Sequence, residues 1–144
     1  MKIKQKENSK IKINETPKVD KICFGYSYLV ANKQFNFNFF KKSYKEKLKA
    51  HEALEKRMME LCNYSLKETK DMGKIKGSES FSINSFSNNF QQATKSINII
   101  SGDSKLIIFR FGEQEYRLIC KSDTNHNNVL HIIGFDFDFS AYNH

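Results

Sequence analysis

Between residues 42 and 62 the large apolar residues Tyr44, Leu48, Leu54, Met58 and Leu61 recur at helical spacing, with His51 in the same stripe. Lys45, Lys47, Lys49, Glu52, Glu55 and Lys56 populate the other faces. The pattern predicts an amphipathic helix that buries one stripe and shows water a mostly basic one. Ser65-Leu66-Lys67-Glu68 has the spacing of a capping box, in which the serine hydroxyl accepts from the amide three residues on and the glutamate reaches back. A second short helix is therefore expected from 65 to about 72, stopping at Gly73 and completing a helical hairpin.

Elsewhere the period falls to two. Residues 22 to 30 (ICFGYSYLV) read as a strand, and Phe35-Asn36-Phe37-Asn38-Phe39 alternates so as to put three rings on one face. That stretch is either the second arm of a hairpin turning at 31 to 33 or a strand leading by a loop into the helix. A short strand is expected around Phe81, Ile83 and Phe86 within a Ser/Asn-rich run. Residues 96 to 100, 105 to 111, 115 to 121 and 129 to 139 then read as four strands, with turn signals at Ser101-Gly102-Asp103, at Gly112-Glu113 and over 122 to 128. The fold class predicted is α+β, a helical hairpin packed on an antiparallel sheet that ends in a meander. Residues 1 to 20 scatter a few Ile and one Val among charges and read as a flexible basic arm, leaving 21 to 144 as a single α+β domain.

Composition sharpens this picture in three ways. Hydrophobic residues at 39% with thirteen Phe and six Tyr supply enough core material to exclude wholesale disorder. No apolar run approaches the roughly 20 residues that span a bilayer, and residues 1 to 12 alternate Lys with polar residues where a signal peptide would be apolar, so a cytoplasmic location away from membranes is expected. Cys23, Cys62 and Cys120 are odd in number, far apart and set among apolar neighbours. They read as buried thiols, with neither a disulfide framework nor a zinc-ligand spacing.

The charge is +8 and unevenly placed: residues 1 to 100 hold 20 Lys/Arg against 10 Asp/Glu, whereas 101 to 144 hold 4 against 6. A basic surface on the arm and helix attracts polyanions through phosphate contacts and counterion release, which points to RNA or another nucleic acid as partner. Lys41, Lys42, Lys45 and Lys49 are the candidate nucleic-acid contacts.

The tight turn at Glu113-Gln114 sets a register that places Arg110 opposite Arg117 and Ile108 opposite Ile119. Facing guanidiniums repel unless an anion lies between them, either an internal carboxylate such as Asp136 or Asp138 or a bound phosphate. Asp136-Phe137-Asp138 puts two carboxylates on one strand face where Mg²⁺ could be held, but no metal or cofactor is expected. Among the histidines, His51 lies on the helix stripe, His126 in an Asn-rich loop, and His131 in a strand beside Ile119. With Arg117 and Tyr142, His131 could form an acid/base set near a phosphate. The absence of G-x-S-x-G, Walker A, Rossmann, HExxH and Cys-x-x-Cys motifs disfavours those enzyme classes.

The order of elements, a helical hairpin and then a meander with arginines on its middle strands and Tyr142-Asn143-His144 at its end, resembles the small bacterial toxins of the RelE/ParE type. The resemblance implies a compact basic RelE-like α+β domain with a central antiparallel sheet that either cleaves mRNA or inhibits gyrase and is wrapped by a cognate antitoxin. It also implies metal-independent endoribonuclease activity, with the RNA 2′-hydroxyl as nucleophile. Arg110 and Arg117 would match the family's phosphate-binding arginines and Tyr142 its aromatic acid/base, while Asp136 and Asp138 depart from its basic last strand. IIGFDFDFSAYNH and FGYSYL also resemble small phage and mobile-element proteins of low-GC bacteria. The alternative function is accordingly a non-enzymatic inhibitor of a host or defence protein.

Overall fold

The computed structural model describes residues 20 to 142, so the expected basic arm, apart from Asp20, lies outside the described residues. Five strands form one sheet: β1 Cys23–Gly25, β2 Ser78–Ser82, β3 Lys105–Phe111, β4 Tyr116–Ser122 and β5 Val129–Asp136, in the order β1-β5-β4-β3-β2. The meander β3-β4-β5 is antiparallel as expected, and β2 adds antiparallel to β3. β1 lies parallel to β5, which makes the sheet mixed instead of wholly antiparallel. A parallel pair needs a long crossover, and here the whole intervening chain supplies it.

Among the described residues four α-helices accompany the sheet: α1 Tyr44–Leu61, α2 Leu66–Asp71, α3 Gly73–Lys76 and α4 Asn88–Ala93. The capping box is formed in full: Glu68 N donates to Ser65 Oγ at 3.1 Å and Ser65 N to Glu68 Oε2 at 3.0 Å. α4 was not expected. Its signal was Ser87, whose hydroxyl accepts from Phe90 N at 3.3 Å, an N-cap hidden in a run that reads as a Ser/Asn-rich loop.

Both faces of the sheet are covered. Ala50, Leu54 and Leu61 of α1 meet Ile107, Phe109, Leu118 and Phe135 on one face. Leu106, Ile108, Ile119 and Ile133 on the other are covered by Val30, Phe35, Phe86 and Phe90. Two-sided burial explains why β3 to β5 read as nearly continuous apolar runs. The inward stripe of α1 is rotated from the expected one. Ala50 is fully buried, its small side chain letting the helix approach the sheet, while Tyr44, Leu48 and His51 stay exposed on one flank.

The N-terminal strand is shorter than its pattern suggested, because the chain turns away after Gly25. Residues 35 to 39 are not a strand. Asn32 and Asn36 accept from Gln34 N and Asn38 N, each at 2.9 Å, and cap two successive 3₁₀ turns, Lys33–Phe35 and Phe37–Phe40. Local Asn bonding of this kind competes with strand pairing. The three rings therefore do not share a face: Phe35 packs on Phe90 in the second core, whereas Phe37 and Phe39 pack against the first. Residues 96 to 100 form turns, with Ile97 N donating to Thr94 O and Ile100 N to Ile97 O. β2 begins at Ser78, before the expected position, and leads at Ile83 into a 3₁₀ turn. β5 ends at Asp136, short of the expected 139, and Phe139 follows with φ +61°. Cys120 is buried, but Cys23 on the edge strand and Cys62 at the end of α1 are exposed. Among the described residues no helix is long and apolar enough to cross a membrane.

Candidate functional site

The β3-β4 register is the expected one, Arg110 opposite Arg117 and Ile108 opposite Ile119. Next to Arg117 on β5 stands Asp136, and Glu79, opposite Ile108 on β2, reaches Arg110 at 3.6 Å. Two guanidiniums and two carboxylates thus share one end of one sheet face. Arg117 is 4% exposed and Asp136 1%. Glu79 went unnoticed in the sequence because its role depends on the pairing of β2, which no local pattern discloses.

Arg117 and Asp136 are each held by more than their cross-strand neighbour. Arg117 donates from Nη1 to the carbonyls of Gln114 at 2.6 Å and Tyr116 at 3.2 Å, and its guanidinium lies 5.2 Å from the Phe139 ring centroid. The Gln114 carbonyl belongs to a turn in which Glu113 and Gln114 have φ of +54° and +69°. L residues occupy that region at a cost of roughly 1–2 kcal/mol each, so the arginine clamps a strained turn. Asp136 accepts from the backbone amides of Ser140 at 3.0 Å and Ala141 at 3.2 Å. Burial raises its pKa, and these amide bonds oppose the rise.

The other expected members of an acid/base set are distributed differently. Tyr142 is buried at the same end, bridged to Phe86; burial raises its pKa, and the nearby Arg117 works against that rise. His131 is not beside Ile119. The β4-β5 register, with Arg117 opposite Asp136, puts Gly134 opposite Ile119, and after a bulge between Ile119 and Cys120 His131 pairs with Lys121 toward the far end of the sheet. There its Nε2 lies 2.8 Å from Asp123 Oδ1 and its ring meets Tyr28 edge-on at 4.9 Å. The structure therefore brings Arg110, Arg117 and Tyr142 together and leaves His131 outside.

Lys41, Lys42, Lys45 and Lys49 are all exposed, and none of the four takes part in an ion pair among the described residues. Lys41 and Lys42 lead into α1, and Lys45, Lys49 and Lys56 follow at i, i+4 and i+11, one line along its outer face. Beside this line Lys49, Lys56, Arg57 and Tyr116 contribute to a cleft of about 350 Å³, with Glu60, Glu113 and Glu115 at other points of its wall. Among the described residues no group of three or more His, Cys, Asp or Glu is placed to hold a metal ion. Comparison with protein-family models, curated proteins and solved structures finds no match to this chain.

Proposed function

We propose that this protein is a toxin-like RNA-binding protein that holds the phosphate backbone along the outer face of α1. The observation that carries the reading is the line of exposed, unpaired lysines from Lys41 to Lys49, extended by Lys56. Free ammonium groups in a row exchange condensed counterions for phosphates at little cost in broken ion pairs. The RelE/ParE likeness, with its cognate antitoxin, belongs to the same proposal and is supported by the α+β architecture and the basic helix. Cleavage through Arg110 and Arg117 has less support. A scissile-phosphate site needs an open guanidinium, and Arg117 is buried beside Asp136.

The test is fluorescence anisotropy of a labelled single-stranded RNA across a salt series, with wild type and a Lys41→Gln/Lys42→Gln/Lys45→Gln/Lys49→Gln variant. Each lost phosphate contact should reduce the slope of log K against log salt by about 0.7. An unchanged slope, or no binding at low salt, would remove the reading. A second reading, a non-enzymatic interaction protein, is favoured by the apolar flank of the same helix.

A further inference from the structure

The flank of α1 next to the lysine line is apolar and open. Leu48 is 47% exposed and Met59 67%, and facing them across a gap is Tyr26 at 53%. Together with Met58, Glu52 and Glu55 they line a groove of about 670 Å³. A smaller recess of about 340 Å³ at Leu29 and Phe37 shares Tyr26 and His51 with it, so the trough continues past the helix. Nothing among the described residues covers it. Burying Leu48 or Met59 as α1 does Leu54 would remove apolar area worth roughly 25 cal/mol per Å², and the monomer forgoes that gain.

The charges lining this trough separate it from the rest of the surface. In a protein of net charge +8, its only lining residues with a fixed charge are Glu52 and Glu55. His51, stacked on Phe37 with ring centroids 3.7 Å apart, has its pKa lowered by burial and then by Lys47, which favours the neutral imidazole. From Leu48 to Cys62 the groove follows α1 for about 21 Å, the length of a four-turn helix. Leu, Tyr and two adjacent Met make a wall that adapts to apolar anchors of varied shape. Helices dock into such grooves through residues at i, i+3, i+4 and i+7.

We propose that this groove docks an amphipathic helix of a partner protein whose apolar stripe is flanked by Lys or Arg. The stripe lies against Leu48, Met58, Met59 and Tyr26, and the basic residues meet Glu52 and Glu55 at the rim. The proposal does not depend on RNA binding, which uses the adjacent lysine line of α1.

The probe is a fluorescein-labelled peptide of about 18 residues with Leu at i, i+3, i+4 and i+7 positions and Lys elsewhere, beside a twin with Glu for Lys. Wild type should bind the Lys peptide, and Glu52→Lys/Glu55→Lys should weaken it about five- to tenfold while improving the Glu peptide. Leu48→Ser/Met59→Ser should weaken both peptides, leaving the circular dichroism and the affinity for RNA unchanged. Absence of binding, or affinities that neither pair of substitutions moves, would overturn the proposal. So would two other occupants: tighter peptide binding on deletion of residues 1 to 19 would assign the groove to this chain's own terminus. A dimer seen in sedimentation and abolished by Leu48→Ser/Met59→Ser would assign it to a second copy.

Discussion

Replacing Arg117 by Met tests whether the arginine pair is a structural clamp. Methionine keeps much of the length and the apolar contact but removes the charge and every donor. The Gln114 carbonyl, bonded at 2.6 Å, loses its partner within a turn that carries two non-glycine residues at positive φ. Asp136, 1% exposed and with its pKa raised by burial, loses the arginine paired opposite it on β4. Removing one member of a buried charged set costs about 3–5 kcal/mol, and the retained apolar contact places Arg117→Met at the lower part of that range. For a chain of this size each kcal/mol moves the melting temperature by roughly 3–4 °C, which predicts a fall of about 10 °C. Thermal melts and urea denaturation of wild type and variant measure it, with RNA affinity recorded below the variant's transition. A melting temperature within about 2 °C of wild type, accompanied by lost RNA cleavage or binding, would refute the clamp and return Arg117 to a phosphate site.

Two further outcomes probe the helix and the far end of the sheet. Leu54→Ala, at a buried position of α1, should cost about 2–5 kcal/mol in urea denaturation, whereas Leu48→Ala on the exposed flank should stay within about 0.5 kcal/mol; similar costs would mean that the inward face is misassigned. The hydrogen bond from His131 is the first cause holding the Asp123 carboxyl below its usual 3.8, so its contribution to stability is present above that value and is lost as pH falls through the folded-state pKa. His131→Phe should return the Asp123 titration, followed by carboxyl carbon NMR, toward 3.8; an unmoved midpoint would remove His131 as the cause.

Local chemistry was legible wherever it was self-contained. The Ser65/Glu68 capping box and the pairing of Arg110 with Arg117 depend on a few consecutive residues and one tight turn, so their spacing alone determined them. The helix over Tyr44–Leu61 was equally plain from its period. Its inward face was not, because periodicity counts large apolar residues while burial rewards close approach, and Ala50 faces the sheet where Leu48 was expected. Long-range placement was decided by the tertiary structure alone. The parallel seat of β1 beside β5, the β4-β5 register that sets His131 opposite Lys121, and the arrival of Glu79 beside Arg110 all join segments separated by loops whose path no short pattern encodes. The sequence determined that Arg110 and Arg117 must have an anion between them or nearby, since like charges facing across strands repel. Only the folded sheet could place that anion inside the protein, because strand pairings formed across most of the chain bring Glu79 to Arg110 and set Asp136 opposite Arg117.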